Sequence, residues 1–220
     1  ATRLTRPELR VIYDVYGKRN LAEAELSHLR GYANSSPVRI GNATRDQLQL
    51  DVYGEVIVAV THFLQRGRRL DREMQKALHH FGQYVCRNWR QPDNGIWEPR
   101  DRRQHYAHSR LMCWVALDRL IDMNHQGHIQ SIPVIEFTES RDRIRRDIED
   151  RGWNPLLESY TQVLGGTTLD ASVLLMAAHG FEHASSRRMQ QTHRNIKDRL
   201  SPAPGLYYRK EQSLTMGEGA

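Results

Sequence analysis

The chain has 220 residues, 39% of them hydrophobic and 26% charged, with a formal net charge of +6. That length suits one large domain or two small ones, and no stretch approaches the roughly 18 uncharged apolar residues of a membrane span, so no membrane partner is expected. The excess charge does not point to nucleic acid either. Its arginines stand beside acids, as in Arg141-Asp142-Arg143-Ile144-Arg145-Arg146-Asp147-Ile148-Glu149-Asp150-Arg151, and at helical spacing this mixture supplies i,i+4 pairs on a solvated face.

Residues 1–40 read as an irregular lead-in. Leu9 to Tyr16 is β-branched and aromatic and ends at Gly17-Lys18, which predicts a short strand and a turn. No apolar run follows the N-terminal Ala1-Thr2-Arg3-Leu4-Thr5-Arg6, so no secretory leader is expected. Pro37 and Gly41 close the region, and helices dominate thereafter. Asp46 to Gln65 is apolar around much of its circumference, which predicts burial on most sides. Asp71 to Trp89 has an Asp71 N-cap and a single stripe of Met74, Leu78, Phe81 and Val85. Ser109 to Met123 is apolar again, and Glu139 to Arg151 is heavily charged. Leu169 to Ala178 is small and apolar, and Ser186 to Leu200 is polar with a thin stripe of Met189, Ile196 and Leu200. Cys86 and Cys113 lie in apolar helical stretches, and two free thiols in a reducing cytoplasm are expected.

The order is buried, surface, buried, surface, buried, surface. Three successive helical hairpins, each with an inner and an outer member, predict an all-α fold of two concentric helix layers. No short fixed repeat period is present, which disfavours a regular solenoid. A closed ring fits the pattern better, but three hairpins are too few to close one around a cavity.

The segment Gln91-Pro92-Asp93-Asn94-Gly95-Ile96-Trp97-Glu98-Pro99-Arg100 joins an outer helix to an inner one and is rich in turn formers. Trp97 and Glu98 place an indole beside a carboxylate. Burial against an aromatic wall disfavours the charged carboxylate and raises its pKa, as a general acid requires. The residues alone equally suit an ordinary loop Glu paired with Arg100 beside a packing Trp.

This loop, continued by His105-Tyr106-Ala107-His108-Ser109-Arg110-Leu111-Met112-Cys113-Trp114-Val115-Ala116-Leu117-Asp118-Arg119, resembles the signature of glycoside hydrolase family 15, the glucoamylase, glucodextranase and trehalase group. Pro37 to Val56 is similar to the family's preceding block. Thr168-Leu169-Asp170-Ala171-Ser172, Gly205-Leu206-Tyr207-Tyr208-Arg209 and Gly217-Glu218-Gly219-Ala220 follow in the family's order. The resemblance covers nearly the whole chain. It implies an (α/α)6 barrel, here with about three inner and outer helix pairs, that removes α-linked glucose with inversion from trehalose or malto-oligosaccharides. It implies Glu98 as general acid, Trp97 and Arg100 as the wall of the glucose pocket, and Arg209 as a sugar-hydroxyl ligand whose guanidinium fork can donate to two hydroxyls. Glu218 is a further expected substrate contact. Asp51 and Glu55, one helical turn apart, suit a substrate contact or a polar brace at the barrel end.

The family has Lys where this chain has Arg110. Its N-terminal β-sandwich, its Trp-x-Arg-Asp segment, its later barrel helices and the second Glu that serves as general base are expected to lie outside residues 1–220, which would then form a single partial catalytic domain. Inverting hydrolysis needs two carboxylates about 6.5–9.5 Å apart, so the chain by itself is expected to be inactive. No cofactor is expected. His105 and His108, and likewise His125 and His128, are spaced i,i+3, but no third ligand stands nearby in sequence and no metal is expected. The partner implied is a small carbohydrate in the cytoplasm. A half-ring with bare inner-helix surface is expected to self-associate. The competing reading is a non-catalytic sugar-binding regulatory module on the same barrel.

Overall fold

In a computed structural model of the chain, residues 8–17, 22–99 and 102–211 are described. Among them, residues 8–17 form a turn closed by Gly17 N–H on Asp14 O at 2.9 Å, but no strand. The strand predicted from Leu9 to Tyr16 is absent because side chains take its backbone donors: Leu9 N–H bonds Tyr53 Oη (2.9 Å), Arg10 N–H bonds Tyr13 Oη (2.9 Å) and Tyr16 N–H bonds Asp14 Oδ1 (2.8 Å). A two-residue ladder follows, β1 (Ala24–Glu25) antiparallel to β2 (Arg39–Ile40).

The first helix, α1 (Asp51–Gln65), starts five residues later than predicted. Ala43–Asp46 is a separate 3-10 turn capped by Asn42, whose Oδ1 accepts from Thr44 N–H at 2.9 Å. Between the two, the backbone is claimed by a distant loop: Leu48 N–H donates to Asn94 Oδ1 (3.1 Å) and Leu50 N–H to Asp93 Oδ2 (2.9 Å). Those bonds leave no helical register open until Asp51. Asp71 caps α2 (Arg72–Asn88) as predicted, accepting from Met74 N–H at 2.8 Å, and Leu78, Phe81 and Val85 turn inward.

Helix α3 (Ala107–His125) is the centre of the fold, buried along most of its length from Ala107 to Met123. It packs against α1 on one side and α4 (Val134–Arg151) on the other. Two glycines permit the close approach. A Cβ at Gly54 would collide with the Met112 backbone of α3, and one at Gly82 of α2 would enter the Phe137 ring of α4. Helix α4 begins five residues before the predicted Glu139, because its first turn buries Phe137 in the core. Its charged face pairs as the sequence implied, through Arg143–Glu139 (3.3 Å), Arg145–Glu149 (2.8 Å) and Arg151–Asp147 (3.0 Å), all i,i+4.

A short hairpin, β3 (Trp153–Asn154) and β4 (Ser159–Tyr160), leads to the third pair. The helix predicted from Leu169 to Ala178 is instead a 3-10 turn (Ala171–Leu174) running into the four-residue α5 (Leu175–Ala178). Residues 169–171 pair with the chain near 209–211, as Leu169 N–H bonds Glu211 Oε2 and Ala171 N–H bonds Arg209 O, both at 2.9 Å. Helix α6 (Arg187–Leu200) is capped by Ser186 and buries Met189, Thr192, Ile196 and Leu200. Of the three helices expected to be inner, α3 is buried on most sides, whereas α1 buries one face much as α2 does and the third is reduced to α5, where Met176 is the buried residue. The predicted near-complete burial of α1 is not seen: one face carries Tyr53, Gly54, Ile57 and Leu64 inward, while Phe63 is 39% exposed. A single apolar cluster runs from Leu50 to Leu200, the core of a partial helical barrel. No helix is long and apolar enough to cross a membrane among the described residues.

Candidate active site

The site is built at the N-terminal ends of α1 and α3. Asp93, 1% exposed, pairs its backbone with Gln104 in both directions at 2.9 Å and uses its carboxylate to hold Leu50. Burial pushes the Asp93 carboxyl up to about 6 from an ordinary 3.8, against the lowering effect of the Leu50 N–H bond, and the nearby Asp51 charge adds to the rise. Asn94 completes the staple, its N–H on Leu48 O (2.8 Å) and its Oδ1 also reached by Arg103 Nε (3.3 Å). Gly95 has φ +64, and the Tyr106 ring lies where its side chain would be. The Asp-Asn-Gly run is thereby pinned to the approach of α1, and the Ile96-Trp97-Glu98 step that follows has a fixed starting point.

Trp97 lines a narrow crevice of about 10 Å³ with Ile96, Tyr106, His108 and Asp170. Its Nε1–H donates to Asp170 Oδ2 at 2.8 Å. Asp170 is buried, and its other oxygen caps the 3-10 turn by accepting from Ser172 N–H at 2.8 Å. The Arg209 guanidinium lies 5.5 Å from the Trp97 ring centroid, within reach of a cation–π contact. Three motifs far apart in sequence, those around Trp97, Asp170 and Arg209, therefore meet at one indole.

Glu98 lies beside this crevice without lining it. Its carboxylate is exposed, accepting from Gln49 Nε2 at 3.4 Å, and its carbonyl oxygen accepts from Gln47 Nε2 at 3.4 Å. The expected burial against Trp97 is thus absent. The cause is local: Glu98 has φ +53, in the left-handed region, so the backbone turns between Trp97 and Glu98 and the two side chains have different surroundings. Arg100 and Glu218 lie outside the described residues. Asp51 and Glu55 do not act together, since Asp51 is buried at 3.5 Å from His108 Nδ1 and Glu55 is exposed.

The histidine spacings do not converge on a metal. His105 contacts Arg110 Nη2 through Nδ1 (3.1 Å), whereas His108 faces Asp51. Burial, then the Arg110 charge, lowers the His105 pKa. No three His, Cys, Asp or Glu side chains gather as a ligand set among the described residues. Cys86 and Cys113 are free thiols, and burial pushes the Cys86 thiol up to about 11. The sequence reading missed three site residues as individuals. Asp93 carried only a turn signal, Asp170 stood inside a motif with no role of its own, and His108 was weighed only as a metal ligand.

Known proteins are similar to this chain in sequence and in fold. A sequence model of glycosyl hydrolases family 15 matches residues 2–208. The chain is 35% identical to a trehalase of Mycolicibacterium smegmatis over 94% of its own length and 31% of that protein's. It is 31% identical to a trehalase of Thermoplasma acidophilum over 97% of its own length and 37% of the relative's. The chain thus spans about a third of the length of these curated relatives. Among solved structures, a wild-type glycosidase superposes with a TM-score of 0.67 at 18% identity, over 80% of this chain and 48% of that one; a variant in complex with glucose gives the same figures.

Proposed function

This chain belongs to glycosyl hydrolase family 15, and on that premise we propose that it is part of an inverting α-glucosidase acting on trehalose. The observation that carries the reading is the Trp97 indole, tied to Asp170 and overlain by Arg209 at the mouth of a crevice. An indole offers an apolar face to the C–H surface of a glucose ring. Arg209, exposed beside it, can fork to two hydroxyls. Glu98 is the proton donor to the glycosidic oxygen, held at the crevice rim by Gln49, and Arg100 and Glu218 contribute substrate contacts. A second carboxylate from the same polypeptide, about 6.5–9.5 Å from the first, activates the water that attacks from the opposite face. Trehalose ranks ahead of malto-oligosaccharides because the relatives named above are trehalases.

A second reading, a sugar-binding module without catalysis, is favoured by one observation: the exposed Glu98 carboxylate lacks the apolar enclosure that tunes a general acid. Proton NMR of the full-length gene product with trehalose separates the two. Inverting hydrolysis releases β-glucose from one half of trehalose before mutarotation. Sugar binding with no glucose released, from trehalose, maltose or isomaltose, selects the module.

A further inference from the structure

Gln47 opens the approach to α1 in an extended conformation, with φ −73 and ψ 143. Side chains alternate along such a run. Leu48 and Leu50 pack on the apolar core, and Gln47 and Gln49 turn instead to the loop after Trp97, where their amides form a chain that ends on Glu98. Gln47 Nε2 donates to the carbonyl oxygens of Glu98 (3.4 Å) and Pro99 (3.2 Å). Gln49 Nε2 donates to Gln47 Oε1 (3.3 Å) and to Glu98 Oε1 (3.4 Å). The far end of the chain fixes which way both amides face. Main-chain carbonyls only accept, so the Gln47 atom that meets them is its NH2 group. Its other atom is then the oxygen, and the Gln49 atom facing that oxygen is a donor. The same buried Gln49 nitrogen therefore presents an N–H to the Glu98 carboxyl. Glu98 itself holds φ +53, a conformation that persists only where neighbours impose it, and the Gln47 bonds to its carbonyl and the next one do so.

We propose that Gln49 is the positioning residue for proton donation by Glu98: its amide keeps Oε1 as an acceptor, so that Oε2 carries the proton and offers it to the glycosidic oxygen. This deepens the reading of Glu98 as general acid and rests on it. A protonated carboxyl has one O–H and one carbonyl oxygen, and an N–H at Oε1 favours the proton on the other oxygen. Oε2 takes no bond from the described residues. In the step itself the O–H electron pair stays on the carboxylate, and the glycosidic oxygen takes the proton and leaves with the C–O pair as a hydroxyl. Water takes its place at the anomeric carbon and gives a proton to the second carboxylate. As charge develops on Glu98 the Gln49 bond becomes charge-assisted and strengthens, so the amide favours the transition state over the ground state.

The test compares two substrates in the full-length gene product. Gln49→Met keeps the side-chain length and removes the amide. It should lower kcat for trehalose roughly tenfold, the scale of one hydrogen bond to a group that becomes charged, with a smaller change in KM. α-Glucosyl fluoride, whose leaving group departs without a proton from the enzyme, should be turned over near the wild-type rate, which also reports a folded site. In a Glu98→Gln background Gln49→Met should lower the residual trehalose turnover no further, because the group it acts through is gone. If Gln49→Met does not fold, Gln47→Met, at a half-buried position, removes the partner that orients the Gln49 amide and should show the same selective loss. Equal losses on both substrates, or unchanged trehalose turnover in Gln49→Met while Glu98→Gln is impaired, overturn the inference and spare the acid assignment. Glu98→Gln as active on trehalose as wild type, or a wild-type protein that turns over neither substrate, overturns both.

Discussion

Trp97 and Asp170 stand 73 residues apart in sequence and are joined by a 2.8 Å bond from the indole N–H to a carboxylate oxygen. The bond couples the loop after α2 to the turn before α5, and Asp170 uses its second oxygen to start that turn. Trp97→Phe keeps an aromatic face, smaller than the indole, and removes the donor, leaving a buried acceptor unsatisfied. The expected cost is about 1–3 kcal/mol in stability, read as a lower denaturation midpoint, with weaker sugar binding because the ring is no longer oriented. An unchanged midpoint and unchanged binding would show that the bond orients nothing.

Asp93 should make stability depend on pH with a sign opposite to that of a salt-bridged carboxylate. Its folded-state value is raised from 3.8 to about 6 by burial, so the folded protein holds this proton more tightly than the unfolded chain. Stability from this group is full below about pH 4, falls as pH rises toward 6, and is flat above. The span corresponds to at most about 3 kcal/mol. Asp93→Asn can still accept from Leu50 N–H and carries no charge. Urea midpoints measured from pH 4 to 7 should lose this downward component in the variant, and an identical slope in the two proteins would contradict the assignment.

Gly54→Ala would gain up to about 1 kcal/mol in an exposed helix. In α1 the new methyl meets the Met112 carbonyl and lies 2.8 Å from Met112 Cβ, atoms of α3 that cannot swing aside. A net loss of about 1–3 kcal/mol is expected, seen as a shift of the urea midpoint at constant slope. A neutral or stabilising result would mean that α1 and α3 separate easily.

How much of this was legible in the sequence follows the range of the interactions. The apolar run of α3 from Leu111 to Leu117, the Asp71 cap and the paired charges of α4 depend on neighbours within a few positions, and the local sequence shows them. Departures arise where distant groups take over the backbone. The start of α1 waits for Asp93 and Asn94, more than forty positions away. The predicted Leu169–Ala178 helix loses its first residues to pairing with the chain near Arg209. The strands of the β3–β4 hairpin are two residues each, too short to display alternation. The loop motif led to Trp97 and its crevice. The burial expected for Glu98 failed because adjacency to an indole in sequence does not survive a left-handed φ at the next residue.

The family assignment is independent of that failure, and the role of Glu98 is not. The most direct measurement is the turnover of trehalose by the full-length gene product and its Glu98→Gln variant at equal, saturating substrate. General acid catalysis by one side chain contributes roughly 10²–10⁴-fold. A loss of kcat in that range with glucose binding retained is the outcome expected if Glu98 protonates the leaving oxygen. Turnover by Glu98→Gln equal to wild type would show that the proton comes from elsewhere.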